Sequence, residues 1–290
     1  MVRYPDGYFE EMVCSAPVFG SAGWEVPFGR DVAGASRGLV GADGKEGAGA
    51  PQKAQKGAEG EEGRDKQTSE ESNLRAIRRA SANIRRLTHC ADMKYFVTLT
   101  LDQTKIDRYD PAIIVRKMGQ WASDRVKRDG LCYVLVAERH KDGAIHFHGF
   151  VNDALEVVDS GTISRPGHKK PCKPRSERQR AAWIQQGGKV VYNLPAWKLG
   201  FSTAIELYGN KDAAISYTCK YLTKDLQLGG KIGGRWFYHG GKFSEPEVSY
   251  YDDMTIRGAM EDPSFPFHVF TVPEAGLVFA MRRGRTNGPE

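Results

Sequence analysis

The chain has few cysteines and lacks long apolar runs. Its cysteines are odd in number, scattered, and never arranged as Cys-x-x-Cys: Cys14, Cys90, Cys132, Cys172 and Cys219. This pattern argues against a structural zinc site and a disulfide scaffold. No apolar run approaches the about 20 residues that span a bilayer, and the N-terminus lacks the apolar core of a signal peptide. We therefore expect a reduced, cytoplasmic protein without membrane contact.

The chain also lacks the Gly-x-x-x-x-Gly-Lys-Ser/Thr loop that holds nucleotide phosphates, so we expect no nucleotide cofactor. Acidic charge is scarce beyond the N-terminal region. Residues 1–72 carry 8 Lys and Arg against 13 Asp and Glu, whereas residues 73–290 carry a net charge of +11. A polyanion such as DNA would bind this basic part.

The composition divides the chain into four segments. Residues 1–67, rich in Gly, Ala, Glu and Lys, are predicted to be largely disordered, because they bury too little apolar surface. A capping box at residues 68–71 predicts a basic helix over 68–90. A folded domain over 91–260, with a basic loop insertion at 152–180, precedes a tail over 261–290.

Two basic clusters are candidate DNA contacts, although a solvated basic helix face and a merely flexible loop are alternatives. The helix contributes Arg75, Arg78, Arg79, Arg85 and Arg86. The loop contributes Lys169, Lys170, Lys173 and Arg175.

Within the folded domain, alternation and capping signals predict a strand over 94–102, a helix over 111–127 and strands near 190 and 201, followed by a helix over 211–226. Between them, residues 131–139 and 144–151 form the arms of a hairpin. This order predicts an α+β fold.

The second hairpin arm contains His146-Phe147-His148. On a strand, His146 and His148 point to one face, where they could hold one metal ion. A three-residue loop at 141–143 pairs Glu138 with His146 and adds a carboxylate to that face. A two-residue loop would place Glu138 on the other face, so this ligand depends on the turn. Two imidazoles and a carboxylate with open positions suit Mn²⁺ or Mg²⁺.

The last predicted helix carries Tyr217, Tyr221 and Lys224 at i, i+4 and i+7, with Lys220 at i+3. A metal that neutralises a phosphodiester, a tyrosine nucleophile and a lysine that favours its phenolate are the parts needed for phosphoryl transfer to tyrosine. Each feature alone is weak, because two tyrosines at this spacing are more often one packed helix edge.

Three motifs in this order resemble those of rolling-circle replication initiators of the HUH endonuclease superfamily: FVTLTLD at 96–102, HFHGF at 146–150 and YTCKYLTK at 217–224. The likeness is greatest to initiators of small bacterial plasmids and single-stranded DNA phages. It implies a ferredoxin-like, palm-type fold: a central antiparallel sheet with the histidine strand in the middle and helices on one side.

The resemblance also implies roles for the residues. His146 and His148 would bind the divalent metal, Tyr221 would be the principal nucleophile and Tyr217 the second, and Lys224, favoured over Lys220, would support them. The implied activity is nicking of single-stranded or hairpin origin DNA in a bacterial cell. The 5′ phosphate would be kept as a tyrosyl ester, and a host helicase and polymerase would extend the free 3′ end.

Three alternatives remain from the sequence. A mobilisation relaxase or a single-tyrosine transposase would use the same chemistry. A non-catalytic nucleic-acid-binding domain would use only the basic charge. A metal-dependent oxygenase or hydrolase could use the same ligands but leaves the tyrosine helix unexplained.

Overall fold

The computed structural model describes residues 1–14, 62–208, 211–227, 231–249, 268–272 and 277–285, together with Gly258 and Glu261. In this part, four helices are α1 (Glu62–His89), α2 (Pro111–Asp129), α3 (Glu177–Gln185) and α4 (Lys211–Gln227). The strands are β1 (Val2–Arg3), β2 (Tyr8–Cys14), β3 (Tyr95–Leu101), β4 (Tyr133–Arg139), β5 (Ile145–Val151), β6 (Val158–Ser164), β7 (Lys189–Asn193), β8 (Gly200–Glu206), β9 (Tyr238–Gly240), β10 (Glu247–Val248), β11 (His268–Val272) and β12 (Leu277–Arg285).

The larger sheet has seven strands in the order β6-β7-β8-β3-β5-β4-β9, and every pairing is antiparallel. The histidine strand β5 lies inside it, between β3 and β4. The predicted α+β class and central antiparallel sheet are confirmed.

Both faces of this sheet carry helices, which differs from the expected arrangement on one side. On β4, Leu135 belongs to the same buried cluster as Met118 of α2. Its neighbour Val134 belongs to a second cluster with Ile84 of α1 and Ile215 of α4. Successive strand residues face opposite sides, so α2 covers one face and α1 with α4 the other. An inner strand with apolar residues on both faces needs both layers.

Helix α2 shows how local signals set its limits. The Asp110 side chain accepts hydrogen bonds from the backbone N–H groups of Ala112 and Ile113, and Pro111 occupies the first helical position. Gly130 ends the helix in the left-handed conformation, with φ of 75°. Ile114, Met118 and Ala122 form its buried stripe.

The chain termini form a second sheet in the order β10-β1-β2-β12-β11. Strand β2 pairs with β12, so that Tyr8 opposes Arg285. The predicted disorder therefore does not extend over the first 14 residues, and the C-terminal segment is not a featureless tail, because each supplies the other with a pairing partner. The remainder of the predicted disordered region, residues 15–61, lies outside the described part.

Aspartate and histidine side chains connect the terminal sheet to the larger domain. Asp6 accepts a hydrogen bond from His89 Nδ1 at 2.8 Å and lies 3.2 Å from Lys211 Nζ, at the start of α4. The Tyr8 ring stacks on His89 with ring centroids 3.9 Å apart. The terminal sheet thus contacts the first turn of the tyrosine helix.

Two predicted segment boundaries differ from the structure. Helix α1 begins at Glu62, before the capping box. The segment 152–180 contains strand β6, which pairs with β7, so it is not a loop throughout. The alternation of β6 is weak because its residues are mostly exposed or half-buried.

Candidate functional site

The hairpin between β4 and β5 has the three-residue loop that the sequence predicts. The His140 N–H donates to the Ala144 carbonyl at 2.8 Å, and the Gly143 N–H donates to the His140 carbonyl at 2.9 Å. Gly143 has φ of 84°, a conformation that favours glycine. Glu138 consequently pairs with His146 across the strands. The predicted register is confirmed, and Glu138, His146 and His148 share one face.

Gly149 lets β4 approach the histidine strand closely. A Cβ atom at this position would lie 2.0 Å from the Val134 carbonyl oxygen. The glycine of HFHGF is therefore required for the pairing that brings Glu138 to the histidines.

The Glu138 carboxylate lies at the centre of the site and is only 5% exposed. One oxygen accepts a hydrogen bond from His148 Nε2 at 2.8 Å, and the other pairs with the Lys224 ammonium group. Burial opposes ionisation of Glu138, but the hydrogen bonds from His148 and Lys224 lower its pKa to about 2. The carboxylate is thus ionised at neutral pH.

Two threonines of β3 orient the histidines, and the sequence analysis missed them. His148 Nδ1 lies 3.1 Å from Thr98 Oγ1, and His146 Nδ1 lies 3.1 Å from Thr100 Oγ1. Each threonine pairs across the sheet with its histidine. A hydroxyl can donate or accept, so it can serve either ring tautomer and leave Nε2 for a ligand. The shared period of two in FVTLTLD and HFH was the available signal.

A third histidine lies beside the pair and was also missed. The rings of His140 and His146 have centroids 4.3 Å apart. Burial, together with the positive charges of His140 and His148, lowers the pKa of His146 to about 4. His146 is therefore neutral at pH 7, as a metal ligand must be. The available signal was that Glu138 and His140, two residues apart on one strand, share a face.

Helix α4 places its tyrosines over the same face. The Tyr221 ring is stacked on His148, with ring centroids 4.4 Å apart and an interplanar angle of 11°. Tyr217 packs edge-on against Tyr221 with centroids 5.3 Å apart, and against Phe96 with centroids 5.9 Å apart. Tyr217 is 48% exposed, whereas Tyr221 is half-buried. The predicted tyrosine helix and histidine strand are thus brought together.

The electrostatics of Tyr221 differ from the expectation that a lysine favours its phenolate. Burial, the hydrogen bond with Tyr217, and the charges of Tyr217 and Glu138 raise the pKa of Tyr221 well above its usual range. The Lys224 charge is instead paired with Glu138. Without a bound phosphate, Tyr221 is a neutral phenol.

The donor set suits a divalent metal in chemistry, although it is not preassembled. Within the described residues, no three His, Cys, Asp or Glu side chains already form a metal-binding group. The reason is visible in the contacts: Glu138 is hydrogen-bonded to His148 Nε2, the nitrogen that a metal would need. A metal would replace the proton between these two atoms, with His146 Nε2 completing two imidazoles and one carboxylate.

The remaining predicted residues lie outside this cluster. Lys220 is exposed on α4. In α1, Arg75, Arg78 and Arg79 are exposed, and Arg86 is half-buried. Arg85 differs, because its guanidinium pairs with Asp212 inside the fold. In the basic segment, exposed side chains belong to Lys169, Lys170, Lys173 and Arg175.

The fold and site define an α+β protein in which paired histidines on a sheet face a tyrosine and lysine helix. A family model described as replication-associated protein ORF2 matches residues 94–226. Over this segment the chain belongs to this family of replication-associated proteins, which is consistent with a rolling-circle replication initiator. No curated protein and no solved structure matches the chain. None of the helices described here is long and apolar enough to cross a bilayer.

Proposed function

We propose that this protein is a rolling-circle DNA replication initiator that nicks and rejoins one DNA strand at a specific sequence through a covalent 5′-phosphotyrosine. The observation that carries the proposal is the stacking of Tyr221 on His148, 4.4 Å apart, while Lys224 of the same helix pairs with Glu138. A tyrosine hydroxyl and a lysine ammonium group thus lie beside the histidines and the carboxylate. The family match, to replication-associated proteins, supports the same role.

In the proposed reaction the Tyr221 oxygen attacks the scissile phosphorus. The phenol loses its proton to solvent, a new oxygen–phosphorus bond forms, and the bond to the 3′ oxygen breaks. The 3′ oxygen takes up a proton and becomes a free hydroxyl. One phosphodiester replaces another, so the strand can be rejoined by the reverse reaction without ATP. Tyr217, next to Tyr221 and more exposed, would be a second nucleophile.

His146, His148 and Glu138 would hold a Mn²⁺ or Mg²⁺ ion. Such an ion, when bound, supplies Lewis-acid neutralisation of the non-bridging phosphate oxygens. Lys224 adds positive charge next to the nucleophile, and Thr98 and Thr100 hold the imidazoles in place. The half-buried position of Tyr221 limits the access of water to the ester.

The proposed partner is single-stranded or hairpin origin DNA in the cytoplasm of a bacterial cell. A host helicase would unwind the duplex, and a host polymerase would extend the 3′ hydroxyl. The net charge of +11 over residues 73–290 suits such a partner.

The test uses the full chain, Mn²⁺ and a random pool of single strands labelled at either end. We expect protein-linked label only from the 3′-labelled strands, and a shortened free fragment from the 5′-labelled strands. His148→Ala, and Tyr217→Phe combined with Tyr221→Phe, should abolish the linkage. The control is Tyr208→Phe, because Tyr208 is 57% exposed and lies outside the site.

The outcomes separate the alternatives. Protein that binds single strands but never forms the adduct would favour a non-catalytic binding domain. Sequencing the captured strands then tests the biological role: an initiator recovers its replication origin, whereas a relaxase or transposase recovers a transfer origin or an element end.

A further inference from the structure

Phe201 is the most exposed large apolar side chain among the described residues, at 70%. It lies near the start of β8, which pairs with β3. Full exposure of a phenylalanine leaves about 1.5–3 kcal/mol of burial free energy unused. Such a position invites a search for the group that covers it.

Phe201 lies on the face of the sheet that carries the candidate site. It pairs with Thr100, Thr100 pairs with His146, and His146 pairs with Glu138. Directly opposed residues on antiparallel strands point to the same face. Phe201 is therefore in one row with the proposed metal ligands, two strands and about 10 Å from the β5 backbone.

The backbone beside Phe201 leaves no room for a shift of this row. A Cβ atom at Gly200 would lie 2.1 Å from the Thr100 carbonyl oxygen. The glycine lets β8 approach β3 closely, and the following residue is thereby held next to Thr100.

Charge surrounds this half of the sheet. The pairing of Ile163 with Cys172 brings the basic segment against β6, at the sheet edge beyond β7 and β8. Its exposed side chains include Lys169, Lys170 and Lys173. The α1 and α4 cluster covers the other half, through Val134, Val136 and Phe150, and does not include Phe201.

A single exposed aromatic ring with cationic side chains beyond it suits single-stranded DNA better than an apolar protein surface. The second residue along β8 on this face is Thr203, which is polar, so Phe201 is not part of a broad apolar patch. Nucleobases present flat π faces joined by an anionic backbone, and aromatic stacking with basic contacts is how proteins bind them.

We infer that Phe201 is a stacking platform for a nucleobase of the single strand close to the scissile phosphate, with the basic segment binding the adjoining backbone. This inference rests on the proposed function for the identity of the DNA. It adds a contact outside the tyrosine and metal machinery that aligns the strand for attack.

The test measures binding of full-length protein to a fluorescent oligothymidylate of about 15 nucleotides, in EDTA, over a range of salt concentrations. Phe201→Ala should weaken binding about 5- to 100-fold at every salt concentration, with the slope of log K against log salt unchanged. Phe201→Trp should retain the affinity, and its additional indole fluorescence should be quenched by the oligonucleotide. Val269→Ala, which trims another exposed apolar side chain on the terminal sheet, should bind as wild type.

Wild-type affinity in Phe201→Ala, or an unquenched indole in Phe201→Trp, would overturn the inference. Because EDTA removes the metal and thymidine strands carry no origin, this result does not depend on nicking. Loss of stacking in Phe201→Ala with no adduct in wild type would reject the proposed function and keep the binding site. Adduct formation with full-strength binding by Phe201→Ala would reject the platform alone.

Discussion

The phenol ring of Tyr221 lies parallel to the imidazole of His148, with ring centroids 4.4 Å apart. One belongs to helix α4 and the other to the centre of the sheet, more than seventy residues earlier in the chain. The contact places a nucleophile and a metal ligand side by side before any DNA is bound. It also gives Tyr221 a structural position that Tyr217 does not share.

Tyr221→Phe should lose most of the adduct formation on single-stranded DNA, while Tyr217→Phe should retain most of it. Phenylalanine keeps the stacking on His148, so the loss would reflect the missing hydroxyl. Adduct yield over time, measured by gel shift of 3′-labelled strands, provides the comparison. An adduct undiminished in Tyr221→Phe would reverse the order of the two tyrosines.

Thr98→Val and Thr100→Val should each weaken Mn²⁺ binding by about 10- to 100-fold, because the imidazole loses the hydroxyl that orients it. Titration calorimetry of Mn²⁺ into the free protein measures this without DNA. Thr203→Val is the matched control, since Thr203 lies on the same face and pairs with Thr98 from β8. Equal Mn²⁺ affinity in all three variants would show that the threonines do not support the site.

Lys224→Met should slow adduct formation by about 100- to 1000-fold, the range for loss of one electrostatic contact to a transition state. Lys220→Met should have a smaller effect, because the Lys224 ammonium group is the one paired with Glu138. Single-turnover rates at saturating DNA separate this effect from weaker binding. A larger defect in Lys220→Met would exchange the two assignments.

Docking of the terminal sheet should depend on pH through Asp6 and His89. Burial opposes the charge on both, yet their hydrogen bond, with Lys211 nearby, lowers the pKa of Asp6 to about 2, and Asp212 and Asp6 raise the pKa of His89. The Asp6 contribution to the free energy of unfolding is complete above pH 3.8 and is lost as pH falls toward 2. The His89 contribution is complete below pH 6.5 and is lost as pH rises through its folded-state pKa.

Asp6→Asn should therefore lower the free energy of unfolding by about 2 kcal/mol near pH 5–6, with a smaller loss at alkaline pH. Urea unfolding across this pH range measures the difference. Asp92→Asn, at an exposed carboxylate, should leave the pH profile unchanged. A loss of the same size at every pH would remove His89 from the explanation.

Neutralising the basic segment should change the salt dependence of DNA binding. Each contact with a single-strand phosphate contributes about 0.7 to the slope of log K against log salt. The combined change of Lys169, Lys170, Lys173 and Arg175 to glutamine should therefore reduce the slope by up to about 3. An unchanged slope would place the phosphate contacts elsewhere on the protein.

Local sequence carried much of the site. The alternation of FVTLTLD and HFHGF predicted two strands, and the glycine of the 141–143 loop predicted the turn that pairs Glu138 with His146. The limits of α2 and α4 agree closely with capping and helical spacing. These features depend on residues a few positions apart, where period and turn geometry suffice.

The sequence by itself determined which side chains share a strand face or a helix side, because those positions follow from backbone periodicity. Only the tertiary structure decided which face of the sheet α4 covers, that Lys224 pairs with Glu138, and that the chain termini form a sheet against the start of α4. It also placed Thr98, Thr100 and Phe201 in rows with the histidines. Such contacts join segments far apart in the chain, and strand pairing and helix packing set them rather than local spacing.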